Sequence, residues 1–214
     1  FKTLVSLALC LIIIFFYFDE RNTISPAFHL TETPMIVTKG QFGVSLLVEV
    51  SYSHDGFEDW IASLPKPYPL FLVDADWILR SPDTVELLIE RNIPVGLLGS
   101  TQEEYEADDE LLEKQLTVYK KTFSQLPLWL ATRDYLMTEA MQQTLHGHGI
   151  NLIAPTYSFT TLNTKITDGD FISIPLHRDS VVSFQELQQY VTSHPFLSIE
   201  ENLFGYEFQT KRMP

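Results

Sequence analysis

The sequence predicts an α/β fold in which parallel strands alternate with helices, as a sheet or a barrel. Short apolar runs such as GVSLLVEV (43–50) and IPVGLLG (93–99) are typical of buried strands. Helix signals lie between these runs, for example Ser81, Pro82 and Asp83, which provide an N-cap, a first-turn proline and an early acid. Strands separated by helices at this rhythm favour crossover connections, and hence parallel pairing.

The predicted elements follow one another in a regular order. Strands are predicted within the segments 43–50, 69–79, 93–99, 127–132, 151–155 and 171–176, the second of which runs into a loop. Helices are predicted shortly after the first strand, from Ser81 to Arg91, as one long acidic helix from Thr101 to Phe123, from Met137 to His146, and after Ser183. The last helix opens with a capping box formed by Ser183 and Glu186.

The chain divides into three parts. Residues 1–18 contain the apolar run LVSLALCLIIIFFYF between Lys2 and an acidic flank, which predicts an N-terminal transmembrane signal anchor with the bulk of the chain outside. A cleaved signal peptide, and therefore a secreted domain, is the alternative. Residues 19–40 are polar and contain Pro26 and Pro34, which predicts a linker or an edge hairpin. Residues 41–214 form the predicted domain, long enough for one core.

Charge and cysteine content exclude several functions. The chain has 28 acidic and 14 basic residues and a formal net charge of −14, which repels nucleic-acid phosphates. A nucleic-acid partner is therefore not expected. The single cysteine excludes an intramolecular disulfide and a zinc site made of several thiolates.

From Leu46 to about Asn202, the succession of elements resembles the polysaccharide deacetylase family, which has the NodB-homology domain. The similarity lies in a first strand followed by an Asp-Gly turn, then ERNIPVGLLG, then LPLWLATRDYLMTEAMQQTLHGHGINLIAP, and finally FISIPLHRD before a helix. The resemblance implies a distorted (β/α) barrel of the NodB type. It also implies deacetylation of an N-acetylated glycan by a metal-bound water.

The family's site residues are only partly present. The resemblance places Asp55 of the His54-Asp55-Gly56 turn at the acidic first motif, Arg133 at the motif that orients the base, and His177 at the final Leu-His motif. Each has a simpler interpretation. Asp-Gly is a common turn pair, His177 can cap a strand end, and Arg133 can pair with a neighbouring acid.

The two metal-binding histidines that the resemblance implies are missing. The segment 99–104 after the third strand reads Gly-Ser-Thr-Gln-Glu-Glu and contains no histidine. We therefore expect no metal and no other cofactor. The alternative is a divalent metal held by oxygen ligands such as Asp55 with Glu103 or Glu104.

Asp74, Asp76 and Trp77 are the predicted substrate-binding residues. Asp74 and Asp76 are two residues apart at the end of the second strand, so that in an extended segment both carboxylates face the same side. Trp77 follows directly and could stack on a sugar ring. Ordinary polar residues at a strand end and an aromatic in the core are the competing interpretations.

Taken together, these observations predict a membrane-anchored, extracytoplasmic, deacetylase-like domain that is non-catalytic. Its predicted partners are a cell-envelope polysaccharide or an envelope protein, together with the membrane through the N-terminal helix. The alternative is an active deacetylase with a metal-dependent or rearranged site.

Overall fold

Residues 30–159, 166–177 and 183–205 are described by a computed structural model, and in them eight parallel strands form one curled sheet with helices around it. The strands are β1 (Ile36–Val37), β2 (Ser45–Val50), β3 (Leu70–Asp74), β4 (Val95–Gly99), β5 (Trp129–Thr132), β6 (Asn151–Ile153), β7 (Tyr157–Ser158) and β8 (Phe171–Leu176). The helices are α1 (Phe57–Ser63), α2 (Ala75–Arg80), α3 (Pro82–Glu90), α4 (Gln102–Ala107), α5 (Leu111–Phe123), α6 (Glu139–Gly147), α7 (Phe184–Ser193) and α8 (Ile199–Phe204).

The strand order in the sheet is β1-β6-β5-β4-β3-β2-β8-β7, and every strand pairs in parallel. Lys39, after the edge strand β1, forms an antiparallel bridge with Asp170, which precedes β8, the strand next to the other edge of the sheet. The Lys39 Nζ atom also lies 3.1 Å from Asp170 Oδ1. The predicted distorted (β/α) barrel is confirmed.

Two predicted elements differ from the structure here. The segment 19–40, predicted as a linker or edge hairpin, includes β1, which pairs with β6 and so belongs to the sheet. The single acidic helix predicted from Thr101 is wrong, because the chain forms α4 and α5 with extended backbone at Asp108 between them. The Asp108 carboxylate accepts the N–H of Glu110 and so stabilises this break.

The predicted anchor at residues 1–18 lies outside the described residues. Among the helices that the structure describes, none is long and apolar enough to cross a membrane.

Side chains alternate between two apolar layers. One set of buried strand side chains points into the barrel and packs with Ile199 of α8: Leu47, Leu70, Leu72, Leu98, Trp129, Ala131, Ile153 and Phe171. The alternate residues of the same strands, such as Leu46, Val48 and Val50 of β2, pack with the helices in the larger core. Because both faces of the sheet are covered, the strands read as continuous apolar runs. Polar side chains on the inner face of such a sheet are therefore exceptions that need hydrogen-bond partners or a function.

Gly96 of β4 is required by close packing across the sheet. An added Cβ at this position would lie 2.6 Å from the carbonyl oxygen of Trp129 and 2.9 Å from Leu72 Cδ2. We expect Gly96→Ala to lower the free energy of unfolding by about 1–3 kcal/mol, because neither neighbour can move without disturbing the sheet. Urea denaturation measures the loss.

Gly147→Ala is the matched control, since no atom lies within 4 Å of a Cβ added at Gly147. We expect it to leave stability unchanged or to raise it by up to about 1 kcal/mol, as alanine replaces glycine in a helix. Equal losses in the two variants would contradict the packing argument.

Candidate functional site

The candidate site is a cleft at the carboxyl ends of the strands, where barrel folds place their binding residues. Its cavity has a volume of about 510 Å³ and is lined by Ser51, Tyr52, Asp74, Asp76, Leu79, Arg80, Arg133 and His177. These residues follow or end β2, β3, β5 and β8, or lie in α2. Four of the six site residues predicted from the sequence therefore lie around one cavity: Asp74, Asp76, Arg133 and His177.

Strand alternation brings polar side chains to the barrel interior beneath this cleft. Leu47 of β2 faces inward, and the period of two places Glu49 and Ser51 on the same face. On the neighbouring β8, Pro175 pairs with Glu49, and His177 follows two residues later. Glu49 and His177 thus belong to adjacent layers of the barrel interior.

Glu49 is buried beneath the cleft, where it accepts a hydrogen bond from Tyr135 and lies close to His177. Its side chain is 0% exposed, and its Oε2 lies 3.1 Å from His177 Nδ1. The hydroxyl of Tyr135 donates to Glu49 Oε1 at 2.7 Å and to Oε2 at 2.8 Å. Tyr135 has a positive φ of 58°, in the turn that follows β5. Carboxylates are rarely buried without such partners, so the hydroxyl of Tyr135 holds the Glu49 side chain beside His177.

Asp74 joins the end of β3 to the start of α2. Its Oδ1 accepts the backbone N–H groups of Asp76 at 2.9 Å and of Trp77 at 3.0 Å, as an N-cap. Its Oδ2 accepts Arg133 Nη2 at 2.7 Å. This capping begins a helix where the sequence predicted an extended segment and a loop, so the prediction for this segment is wrong.

Arg133 is held at the cleft by two acids. Besides the Asp74 contact, its Nη1 lies 3.9 Å from Glu104 Oε1. Burial works against the guanidinium charge, but the hydrogen bond and the charge of Asp74 outweigh it and raise the pKa of Arg133. Glu104 is also part of the capping box of α4, and the N–H of Thr101 lowers its pKa. Both side chains therefore carry charge at neutral pH.

The other predicted site residues have different positions. Asp55 is exposed in the turn before α1 and is not among the residues that line the cavity. Trp77 is 1% exposed and packs in the core beneath α2, with its Nε1 donating to Ser53 Oγ. It offers no surface for stacking, because the helical turn directs its ring inward. Asp76 is exposed at the cleft.

Sequence reasoning missed Glu49 and Tyr135. A sequence signal existed for Glu49, since it is the one acidic residue within the apolar run GVSLLVEV. A carboxylate in the middle of a buried strand requires partners. Nothing local marks Tyr135, because its partner is 86 positions away.

The residues of the cleft do not fit the divalent metal that the resemblance implies. Within residues 30–159, 166–177 and 183–205, no three His, Cys, Asp or Glu side chains converge as ligands. Asp74 already accepts two N–H groups and Arg133, and Glu49 already accepts the hydroxyl of Tyr135. A metal bound to either carboxylate would have to displace these partners.

Comparisons with known proteins support the fold. No family model and no curated protein matches the sequence. Among solved structures, a CE4 family pseudoenzyme from Bacillus anthracis is similar, with 12% identity over 81% of this chain and 70% of that one, at a TM-score of 0.59. A family 4 carbohydrate esterase from the same organism has 15% identity over 77% and 84% of the two chains, at a TM-score of 0.60.

A chitin deacetylase from the fungal pathogen Colletotrichum lindemuthianum is also similar. It has 16% identity over 81% of this chain and 92% of that chain, at a TM-score of 0.60. Agreement over most of both chains at so low an identity is a similarity of fold. This chain therefore has the fold of the family 4 carbohydrate esterases, the polysaccharide deacetylases.

Proposed function

We propose that this is a deacetylase-like domain that binds an envelope glycan in its cleft without metal-dependent deacetylation. The observation that carries the proposal is that the two inward-facing acids at and beneath the cleft are already engaged by protein groups: Asp74 pairs with Arg133, and Glu49 accepts the hydroxyl of Tyr135. One of the structural neighbours is described as a CE4 family pseudoenzyme, a precedent for this fold without its activity. We further propose that residues 1–18 anchor the domain at the outer face of a membrane.

The lining of the cleft suits a sugar. Tyr52 is 54% exposed beside the cavity, and an exposed ring can stack on the apolar face of a pyranose. Asp76 and Arg80 are exposed on the same lining and provide an acceptor and donors for sugar hydroxyls. A cavity of about 510 Å³ is within the usual range for small-ligand sites.

We expect Tyr52→Ala to weaken binding of N-acetylglucosamine oligomers about tenfold. The lost stacking is worth about 1 kcal/mol or somewhat more. Titration calorimetry with the tetramer measures the change in Kd. Leu136→Ala is the matched control, because Leu136 is 59% exposed but does not line the cavity. Absence of binding by the unmodified chain, or equal weakening in both variants, would contradict a glycan site at this cleft.

A second candidate function is hydrolysis by a rearranged site, favoured by the contact between Glu49 and His177 at the cleft. Acetate release from the same oligomers distinguishes the two functions, with zinc, cobalt, manganese and calcium tested in turn. Under the binding proposal, no metal produces acetate. Metal-dependent release that disappears in His177→Ala would overturn that proposal and establish the hydrolase.

A further inference from the structure

Arg80 is a cation of the cleft whose side chain is held by backbone carbonyl oxygens. Its Nε donates to the carbonyl oxygen of Asp76 at 3.2 Å, and its Nη2 donates to that of Ser51 at 3.1 Å. Ser51 and Arg80 both line the cavity of about 510 Å³. Because a guanidinium is planar, these two hydrogen bonds restrict its orientation beside the cavity before any ligand binds.

No acid side chain that the structure describes balances the charge of Arg80. In that part of the chain, no carboxylate oxygen lies within 4.0 Å of the Arg80 guanidinium. Asp76 is four positions earlier on α2, the spacing at which an acid and an arginine of one helix usually pair, but its carboxylate makes no such contact. Arg133 differs, since its Nη2 lies 2.7 Å from Asp74 Oδ2. The charge of Arg80 is therefore available to an acidic ligand.

The hydrogen bonds to the protein leave one edge of the Arg80 guanidinium unused. Nε and Nη2 form one edge of the planar group, and the two carbonyl oxygens occupy that edge. The other edge consists of Nη1 and the second N–H of Nη2, and no group among the described residues accepts a hydrogen bond from Nη1. Two parallel N–H groups match the two oxygens of a carboxylate, which they bind together. The unused edge thus fits a carboxylate.

We propose that the glycan bound in this cleft is acidic, and that the carboxylate of one of its sugars pairs with Arg80. The inference rests on the glycan binding proposed above and names the substrate class of that same site. Tyr52, which is 54% exposed on the same lining, receives the apolar face of a sugar ring. Arg80 receives the acid group that projects from a ring. Uronic acids are sugars that have both features.

The other charges of the cleft are compatible with an anion. Asp74 and Arg133 form an ion pair, and Asp76 and Arg80 carry opposite charges, so these four side chains have no net charge. The formal net charge of −14 opposes an anion at long range, but salt at physiological strength screens charges beyond about 8 Å. Arg80 is already ordered by protein contacts. Binding at Arg80 therefore loses less side-chain entropy than binding at a freely rotating group.

Two ligands that differ only in charge test the proposal. Calorimetry at about 0.15 M salt compares the hyaluronan tetrasaccharide, in which N-acetylglucosamine alternates with glucuronic acid, with its methyl ester, in which every carboxylate is neutral. We expect the acid to bind the full chain about tenfold more tightly than the ester, because hydrogen bonds between charged groups are stronger and solvent reduces this gain at an exposed arginine.

Arg80→Gln removes the charge and keeps an N–H donor for sugar hydroxyls. We expect it to weaken binding of the acid about tenfold and to change binding of the ester by no more than about twofold. Lys120→Gln is the matched control, because it also removes one positive charge but lies exposed on α5 and does not line the cavity. We expect it to leave both Kd values unchanged. Unchanged thermal midpoints establish that the variants are folded.

The outcomes separate this inference from the proposed function. Equal affinity of the wild-type chain for the acid and the ester would overturn the acidic class and leave glycan binding in place. Equal weakening of acid binding in Arg80→Gln and Lys120→Gln would overturn the role of Arg80, as would equal loss of both ligands in folded Arg80→Gln. Absence of binding of these ligands and of N-acetylglucosamine oligomers would overturn the proposed function itself.

Discussion

Glu49→Ala is expected to lower the free energy of unfolding by about 3–5 kcal/mol, enough to unfold a marginal domain. Glu49 has no exposed side-chain area, and it accepts the Tyr135 hydroxyl and faces His177. Removing the carboxylate takes away an acceptor of the Tyr135 hydroxyl and the acid that lies beside His177 in the barrel interior. The shorter side chain also leaves a cavity, which water does not fill because no solvent reaches this layer.

Guanidinium denaturation of wild type, Glu49→Ala and Glu49→Gln measures the effect. Glutamine keeps the volume and a carbonyl acceptor for Tyr135, so we expect it to cost about 1–2 kcal/mol. Tyr135→Phe removes only the donating hydroxyl, and should fall between wild type and Glu49→Ala. If Glu49→Ala and Glu49→Gln lower the free energy of unfolding equally, Glu49 stabilises the fold through its charge alone, because glutamine keeps its volume and an acceptor oxygen. If Glu49→Ala loses less than about 1 kcal/mol, the contacts of Glu49 do not stabilise the fold.

Asp74→Ala has the second large expected effect, a loss of about 2–4 kcal/mol. The N-cap of α2 accounts for roughly 1–2 kcal/mol, since Oδ1 accepts two backbone N–H groups. The rest arises because Arg133, whose side chain is 32% exposed, loses its closest acid. This second contribution is reduced by the solvent that reaches Arg133.

Asp76→Ala is the control for Asp74→Ala, because Asp76 lies in the same helical turn and on the same cavity but is exposed. We expect its effect on stability to stay within about 0.5 kcal/mol. Thermal unfolding followed by circular dichroism measures both variants. Asp74→Asn should recover part of the loss, since an amide oxygen still caps the helix. A loss in Asp76→Ala as large as in Asp74→Ala would contradict the assignment of the cap to Asp74.

Most of the fold could be predicted from local patterns. The central strands are buried on both faces, and nearly all their residues are therefore apolar. A run such as FISIPL can be recognised as a strand without knowledge of the strands beside it. The capping signal at Ser183 is likewise local, because its hydroxyl accepts the N–H of Glu186 three residues later. By contrast, β1 has only two residues and is a strand because β6 lies beside it. No local pattern could reveal it.

The candidate site was predicted in part, for a related reason. His177 and Arg133 follow strands directly, so the resemblance and strand-end logic both indicated them. The interpretation of Asp74 to Trp77 as an extended segment was wrong, because the Asp74 side chain caps a helix there and turns Trp77 into the core. A polar residue after a strand is consistent with an extended segment and with a helix N-cap. Which of the two forms depends on the tertiary packing of the residues that follow.

The sequence by itself determined the alternation of strands and helices, the parallel sheet and the acidic character of the chain. These properties depend on periodicity and composition, which are local or summed quantities. Only the tertiary structure decided that Glu49 faces His177, that Tyr135 reaches both oxygens of Glu49, and that Asp74 pairs with Arg133. Strand register and barrel curvature set these distances, and they arise from the packing of residues far apart in the chain.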